Sequence, residues 1–203
     1  MRPPSPIPGH RAPAADRGAV DRAAGAGASA YGELSAEATS RALRWLRLGP
    51  ADELVDLGSG AGNVVIQAAL ESEVGLARGV ELSRFRHRLA RRRWSRVLRE
   101  ADPPRARALR HRVRFEWGDL RAATLERSTV IYAGSTCFPD SLLDALAELA
   151  HASPRVRLLL STRALPARSS SLFSERGRLR VETSWDPRAW LYAYSPSRSV
   201  SKA

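Results

Sequence analysis

The chain is poor in several residues that mark whole classes of protein. Cys137 is its single cysteine, which excludes an internal disulfide and fits a reducing compartment. His10, His87, His111 and His151 show no ligand spacing with one another or with Cys137, so no metal site is predicted. No apolar run reaches about 18 residues, and the N-terminus lacks the apolar core of a secretory signal. These absences predict a cytoplasmic protein, nuclear in a eukaryote, that neither crosses a membrane nor is secreted.

Lysine is also nearly absent, although the chain is strongly basic. Its 33 basic residues outnumber 21 acidic ones for a net charge of +12, and Lys202 is the only lysine. The segment 84–114, which begins with Arg84 and ends with Arg114, holds 13 arginines and two acidic residues, a net charge of +11. Such a surface favours an acidic protein surface or nucleic acid as partner. A solvated helix face and an arginine-favouring codon bias are the simpler explanations.

Composition divides the chain into a central domain and two ends. Residues 1–30 contain many prolines, alanines and glycines and no aromatic residue, which predicts a disordered tail. Residues 31–196 have the length and apolar content of one domain, and residues 197–203 are expected to form a disordered C-terminus.

Short apolar runs alternate with helical patterns through this domain. Helices are predicted over residues 35–48, 63–71 and 141–151, and an arginine-rich helix runs from near Ser83 to a break at Pro103-Pro104. Strands are predicted over 54–57, 77–81, 112–117, 129–133, 155–161, 178–185 and 189–194. The alternation predicts an α/β fold with a Rossmann-like, seven-stranded, mostly parallel sheet and a C-terminal antiparallel hairpin.

The strongest motif is Asp56-Leu57-Gly58-Ser59-Gly60-Ala61-Gly62, between a predicted strand and a predicted helix. Its glycines allow a tight turn and a close approach of the backbone to a ligand. A dinucleotide fold requires a third glycine at position 63, which is Asn63. The spacing behind Asp56 resembles motif I of class I S-adenosylmethionine methyltransferases, and an ordinary glycine-rich turn is the alternative.

Two further carboxylates follow the next two predicted strands. Glu81 ends one strand, where an acid can accept the hydroxyls of a ribose, and Asp119 follows another, where such an acid usually meets the adenine amino group. Either residue alone is explained equally well as a solvated loop acid. Ligands of open α/β sheets bind outside the carboxyl ends of the strands, so three acids at three such ends favour S-adenosylmethionine as cofactor.

Further motifs, in order along the chain, narrow the resemblance. They are Tyr31-Gly32-Glu33-Leu34-Ser35, residues 63–69, Gly79-Val80-Glu81, Gly118-Asp119-Leu120, residues 128–132, Pro139-Asp140 and Ser184-Trp185. Together, from about residue 31 to 194, they resemble the catalytic domain of the disruptor-of-telomeric-silencing family. That family comprises histone-lysine methyltransferases built on a Rossmann-like fold rather than a SET domain. The resemblance implies a methyltransferase domain over 31–196 that transfers methyl groups to a lysine of a protein substrate.

The resemblance also implies roles for individual residues. The cofactor-binding set is Tyr31, Gly32, Glu33, Asp56, Leu57, Gly58, Ser59, Gly60, Gly62, Asn63, Glu81, Asp119 and Leu120. By the resemblance, Tyr192 would line the channel for the target amine. Aromatic rings can hold a cationic group, which makes Tyr31, Phe138 and Trp185 further candidates for the channel wall, although each ring could equally belong to the core.

One departure from the family keeps other functions open. The family carries paired asparagines after its fourth strand, whereas this chain reads Ala133-Gly134-Ser135-Thr136-Cys137-Phe138. Ser135 and Thr136 could supply hydroxyls there instead. The alternatives are an RNA or small-molecule methyltransferase, and a non-catalytic basic module that binds S-adenosylmethionine or nucleic acid.

Overall fold

The computed structural model describes residues 12–29 and 32–198. Seven strands lie in these residues: β1 (Glu53–Leu57), β2 (Leu76–Glu81), β3 (Val113–Trp117), β4 (Val130–Ala133), β5 (Leu158–Ser161), β6 (Phe173–Val181) and β7 (Ala189–Pro196). They form one sheet in the order β3-β2-β1-β4-β5-β7-β6. The first five strands are parallel to one another, and β7 pairs antiparallel with both β5 and β6. The predicted fold class is confirmed.

Helices cover both faces of this sheet. They are α1 (Ala14–Ala24), α2 (Ala36–Leu46), α3 (Asn63–Glu71), α4 (Arg84–Glu100), α5 (Pro103–Leu109), α6 (Asp140–Ala152) and α7 (Ala167–Ser170). Short 3-10 turns lie at Leu120–Ala122 and Ser135–Cys137. None of the helices in the described residues is both long and apolar enough to cross a membrane.

Two apolar layers hold the helices against the sheet. On one face, Leu43 of α2 packs in a buried cluster with Leu54 and Leu160 of the sheet. On the other face, Leu143 of α6 belongs to a buried cluster with Ile131 of β4. The central parallel strands β1 and β4 are therefore buried on both faces, which explains why they read as nearly continuous apolar runs.

Three predictions of local structure were wrong in part, each for an identifiable reason. Residues 14–24 of the predicted disordered tail form α1, which depends on contacts with distant residues described below. Pro103-Pro104 ends α4 but also begins α5, because Asp102 caps the new helix and proline is favoured in its first turn. Residues 182–185 form a turn instead of ending β6, because the Thr183 hydroxyl donates to the Asp186 carbonyl.

The C-terminal prediction was wrong in part. Ser197 donates its N–H to the Leu172 carbonyl, and Arg198 donates to the carbonyls of Ser153 and Pro154. These bonds attach residues 197–198 to the domain. Of the two predicted disordered ends, residues 1–11, Ala30 and residues 199–203 lie outside the described residues.

Candidate active site

A cleft opens at the carboxyl edge of the parallel strands, with about 950 Å³ of open space that is partly continuous with solvent. Its lining comes from the ends of β1, β2 and β4 and from the loops that follow the strands. Four acidic side chains lie in this lining: Glu33, Asp56, Glu81 and Asp119. The carboxylates predicted from three separate strands therefore meet in one cleft, together with a fourth from the loop before α2.

The glycine motif forms the floor of the cleft between β1 and α3. Gly58, Gly60 and Gly62 have φ values of 89°, 53° and 79°, a region that residues with a side chain rarely adopt. A β-carbon at Gly62 would lie 2.6 Å from the Phe115 ring. The backbone can therefore take this path, and bring its N–H groups close to a ligand, only with glycine.

Asp56 lies in the centre of the sheet, beside Gly79 of β2 and Tyr132 of β4. Its side chain is buried, and its Oδ1 atom has no hydrogen-bond partner among the described residues. Burial, with the negative charges of Glu81 and Glu33, raises the pKa of Asp56 well above its ordinary value. A buried acceptor without a donor is unfavourable, so this carboxylate suits a ligand that carries a positive charge or an N–H group.

Glu81 links the glycine loop to the start of α4 through two hydrogen bonds. Its Oε2 accepts from the Gly60 N–H and its Oε1 from the Ser83 N–H, both at 2.7 Å. Burial raises the pKa of Glu81, although these hydrogen bonds and the Arg86 charge oppose the shift. Each carboxylate oxygen retains a second lone pair that can accept a hydroxyl of a ligand.

Asp119 is held at the edge of the cleft by Arg121. It accepts from the Arg121 N–H at 2.9 Å and forms an ion pair with the guanidinium, and the side-chain hydrogen bond lowers the pKa of Asp119. Arg121 Nη2 also donates to the Ala23 carbonyl of α1 at 2.7 Å. The third carboxylate is thus oriented by a residue that also contacts α1.

The loop before α2 is bound to the turn after β6. Glu33 N–H donates to Ser184 Oγ at 3.1 Å, and Ser184 N–H donates back to the Glu33 carbonyl at 2.8 Å. Ser35 N–H donates to the Glu182 carbonyl at 2.9 Å. Gly32, Glu33 and the exposed ring of Trp185 all line the cleft, so the far end of the sheet contributes to its wall.

Two arginines of α4 are buried, which the sequence analysis did not predict. Arg86 lines the cleft, and Arg93 Nη1 donates to the Ala61 carbonyl of the glycine loop at 3.1 Å. Burial raises the pKa of Glu33 to about 7, against the opposing effects of Arg93, a hydrogen bond from Asn63, and Arg86. Arg86 and Arg93 recur with the apolar residues of α4 at helical spacing. This repeat could have revealed from the sequence that the two arginines lie on the buried face of the helix.

The segment after β4 forms the wall opposite the glycine loop. Ser135 is fully buried and shares a hydrogen bond of 2.7 Å with Ser161, so it does not line the cleft. Thr136 lines the cleft and shares a hydrogen bond of 3.0 Å with Thr162. Of the two hydroxyls expected in place of the family's asparagines, only Thr136 thus reaches the cleft. The buried Tyr132, which the sequence analysis did not single out, also lines it.

Most of the predicted site residues lie together. The cleft is lined by Gly32, Glu33, Asp56, Gly58, Ser59, Gly60, Asn63, Glu81, Asp119, Leu120 and Phe138. Leu57 is buried in the core, and Gly62 lies just behind the lining as the residue that precedes α3. Tyr31 lies outside the described residues.

Tyr192 is the predicted residue that lies apart from the lining of this cleft. It pairs with Ser161 across β5 and β7 and packs against the core under α6. Its ring stacks on Tyr194 with centroids 6.1 Å apart, and the Arg178 guanidinium lies 5.9 Å from its ring centre. A role for Tyr192 in a substrate channel stays a prediction.

Comparison with known proteins gives the family. The model of the family described as "Histone methylation protein DOT1" matches residues 22–171, more than half of the chain. The chain belongs to this family. The predicted resemblance is confirmed, and the match begins inside α1, ahead of the domain boundary predicted at residue 31.

A fungal relative agrees with this DOT1-family assignment. A Cryptococcus neoformans protein named "Histone-lysine N-methyltransferase, H3 lysine-79 specific" is 32% identical over 142 residues, which are 64% of this chain and 21% of that protein. The chain thus spans about a fifth of that relative's length.

Two solved structures of low identity show the fold. An RNA methyltransferase from Salinibacter ruber in complex with S-adenosyl-L-homocysteine has a TM-score of 0.58 at 20% identity, covering 80% of this chain and 92% of its own. Magnesium protoporphyrin IX methyltransferase from Synechocystis, with bound S-adenosylmethionine, has a TM-score of 0.59 at 16% identity, covering 80% of this chain and 79% of its own. The predicted fold of class I S-adenosylmethionine methyltransferases is confirmed.

Within residues 12–29 and 32–198, His, Cys, Asp and Glu side chains form no group that could hold a metal ion.

Proposed function

We propose that this DOT1-family domain transfers a methyl group from S-adenosylmethionine to a lysine of a protein, histone H3 being the first candidate. The observation that carries the proposal is the meeting of Asp56, Glu81 and Asp119 in one cleft at the carboxyl edge of the sheet. Family membership and the name of the Cryptococcus relative support lysine as acceptor.

The residues of the cleft fit this cofactor chemically. Asp56 offers a buried acceptor without a partner among the described residues, which suits the ammonium group of the amino-acid end. Glu81 retains lone pairs for the ribose hydroxyls, and Asp119, which lines the same cleft, would accept from the adenine amino group. The positive φ values at Gly58 and Gly60 favour glycine, and glycine leaves the backbone free of side chains where the ligand would approach.

The cofactor supplies a methyl group on a positively charged sulfur, and the chain supplies alignment. Displacement at the methyl carbon requires the acceptor nitrogen, deprotonated, on the side opposite the sulfur. Phe138 and Trp185 line the cleft as aromatic walls that can hold the acceptor and exclude water. The loop bonds between Glu33 and Ser184 keep Trp185 in place while the acceptor is bound.

The test is transfer of labelled methyl groups from S-adenosylmethionine to recombinant nucleosomes, free histone H3 and RNA, with mass spectrometry of the products. Methyl-lysine in histone H3, abolished by Asp56→Ala, is the expected result. Replacing lysine 79 of the histone by arginine then asks whether this chain shares the site named for its relative. Label only in RNA, or in no macromolecule, would overturn the lysine assignment. The compartment predicted from the sequence, cytoplasmic or nuclear, stays a prediction.

The exposed arginines of segment 84–114 form a basic surface beside this cleft. Arg86 and Arg93 are buried and Arg112 is half-buried, which leaves ten exposed arginines between the start of α4 and β3. Among the described residues, acidic partners neutralise only two of these ten, Arg96 through Glu100 and Arg114 through Glu116. We infer that this surface binds an anionic partner, nucleic acid or an acidic protein surface, that accompanies the substrate.

Binding measured against salt tests this surface. Replacing Arg88, Arg91 and Arg92 by Gln should weaken binding to a DNA duplex and reduce the salt slope by about 0.9 for each phosphate that is no longer neutralised. The matched control replaces the exposed arginines Arg41, Arg44 and Arg155 by Gln, which changes the net charge equally. Equally weakened binding in both triple variants would overturn the proposal that the arginines of segment 84–114 form the binding surface. Weaker binding to poly-glutamate but not to DNA would assign it to acidic protein.

A further inference from the structure

We propose that Trp117 and the exposed arginines of α4 form a binding surface for single-stranded nucleic acid, in which an unpaired base stacks on the Trp117 ring. The inference deepens the anionic-partner surface proposed above and depends on its arginines. Trp117 ends β3, the strand at one edge of the sheet, and is 57% exposed. It is the most exposed of the tryptophan and phenylalanine side chains that the structure describes.

The Trp117 indole is held in a fixed orientation at the start of α4. Its Nε1 donates to the Leu82 carbonyl at 2.9 Å, and the Arg84 guanidinium lies 5.1 Å from the ring centre, within the range of a cation–π contact. A ring that is already oriented loses little conformational freedom when a base stacks on it. Phe85, the next residue after Arg84, is also exposed and offers a second ring.

The exposed arginines of α4 form a positively charged track that begins at this ring. Arg84, Arg88 and Arg91 follow one another at spacings of four and three residues, and Arg92 and Arg99 continue the same side of the helix. With a rise of 1.5 Å per residue, the track from Arg84 to Arg99 is about 22 Å long. Within the described residues, none of these five arginines forms an ion pair. The track can therefore follow the phosphates of a strand whose base stacks on Trp117.

The acidic side chains that flank Trp117 are themselves paired with arginines. Glu116 forms ion pairs with Arg78 and Arg114, and Asp119 forms one with the arginine that orients it. Their negative charges are therefore largely offset by these partners. The local charge around the ring favours a phosphate.

The exposed ring distinguishes between three possible anionic partners. In a duplex the bases stack on one another, so their faces cannot reach Trp117. The carboxylates of an acidic protein are disfavoured over the ring, because an aromatic face is itself negative. An unpaired base exposes a flat π face that stacks on tryptophan whatever the sequence. An exposed tryptophan beside a track of arginines therefore favours single-stranded nucleic acid.

The surface borders the cofactor cleft without entering it. Trp117 is not part of the lining, whereas Gly118 and Asp119, which follow it, are. A β-carbon at Gly118 would meet nothing within 4 Å apart from its chain neighbours, so space is open beside the ring. A strand stacked on Trp117 would lie beside the cleft. Changes at Trp117 should therefore leave cofactor binding intact.

The experiment measures binding of the full chain to four probes by fluorescence anisotropy at several salt concentrations. The probes are a single strand of about 12 nucleotides, an abasic strand with the same number of phosphates, a duplex of the same sequence, and poly-glutamate. The variants are Trp117→Leu and Trp117→Phe. The matched control is Trp45→Leu, which changes an exposed tryptophan of α2 near Gly177 of β6, at the opposite edge of the sheet. Thermal unfolding shows that each variant is folded.

The wild type should bind the single strand at least about fivefold more tightly than the abasic strand. Trp117→Leu should remove this preference, leave the salt slope unchanged, and alter binding to the duplex and the abasic strand less than twofold. Trp117→Phe, which keeps a ring, should retain most of the preference, and Trp45→Leu all of it. Equal binding of the two strands by the wild type, or an unchanged preference in Trp117→Leu, would overturn the inference.

Failure of the stacking ring can be told apart from failure of the arginine surface. If replacing Arg88, Arg91 and Arg92 by Gln weakens binding while Trp117→Leu has no effect, the inference is overturned and the basic surface stands. Binding to poly-glutamate but to no oligonucleotide would overturn the inference and assign the surface to acidic protein. Unweakened binding in the triple arginine variant would overturn the basic surface, and this inference with it.

Discussion

Gly32 lies so close to the Trp185 ring that a β-carbon on the glycine would be 2.0 Å from its Cζ3 atom. Real side chains never approach that closely, so the contact exists only with glycine. The two hydrogen bonds between Glu33 and Ser184 flank this contact. Two segments that are some 150 residues apart in sequence therefore form one wall of the cleft.

Replacing Gly32 by Ala should disrupt this wall. The added methyl group must displace the Trp185 ring or the loop that carries Glu33, so we expect the Kd of S-adenosylhomocysteine to rise tenfold or more. The control is Gly49→Ala, because a β-carbon at Gly49 meets no atom within 4 Å. Calorimetry measures both variants, and an unchanged Kd in Gly32→Ala would show that the wall is not needed for cofactor binding.

Asp56→Asn should separate stability from ligand binding. Burial raises the pKa of Asp56, so the charged carboxylate is unfavourable in the ligand-free fold at neutral pH. The neutral amide should therefore raise the ligand-free free energy of unfolding, by on the order of 1 kcal/mol, while weakening S-adenosylhomocysteine binding tenfold or more.

The matched control for that variant is Asp144→Asn. Asp144 also has a buried oxygen without a hydrogen-bond partner in the described residues, but it lies on α6 outside the cleft. It should leave the Kd unchanged. A stabilised Asp56→Asn protein that binds ligand as tightly as the wild type would remove Asp56 from the cofactor site.

The parts of the site that follow from strand order could be predicted from sequence. Asp56, Glu81 and Asp119 each end a parallel strand or follow one, and parallel strands ending at one edge bring such residues together. The segment formed by α1 and the turn up to Ser29 could not be predicted in this way. Its local sequence has one large apolar residue that becomes buried, and its position depends on polar contacts with Ser83, Arg86 and Arg121.

The buried arginines of α4 were hidden by their residue type. Arg86, Ala90, Arg93, Trp94 and Val97 recur at three- and four-residue spacing and form the buried face. A search for apolar residues alone omits the two arginines and leaves the face looking incomplete. An arginine can be buried when its guanidinium donates to a carbonyl. A search that allows for this would have predicted the buried face of α4 in full.

The Glu33 carboxyl should make stability depend on pH. Burial raises its pKa from 4.5 to about 7, so the folded state binds the proton more tightly than the unfolded state. The free energy of unfolding therefore falls as pH rises from about 4.5 to about 7. Glu33→Gln removes this contribution, so the variant should gain stability relative to the wild type across that window.

Comparing the wild type with Glu33→Gln separates the contribution of Glu33 to stability from those of the other titrating groups. Burial lowers the pKa of His87, which acts in the opposite direction below about pH 6.5, but His87 is present in both proteins. Thermal unfolding of the ligand-free proteins at pH 5 and pH 8 measures the difference. A difference between wild type and variant that stays constant over this range would contradict the assignment.

Arg93 should be needed most when Glu33 is charged. The guanidinium donates to the Ala61 carbonyl, and its charge lowers the pKa of Glu33 against the effect of burial. Arg93→Met keeps the aliphatic packing but removes both effects, so we expect a loss of about 1–3 kcal/mol in the free energy of unfolding at pH 8. At pH 5.5, where Glu33 is protonated in the folded state, the loss should be smaller. The control is Arg92→Met at the exposed neighbouring position, which should change stability by less than about 0.5 kcal/mol at either pH. Urea unfolding gives these values, and an equal loss at both pH values in Arg93→Met would mean that the arginine acts through Ala61 alone.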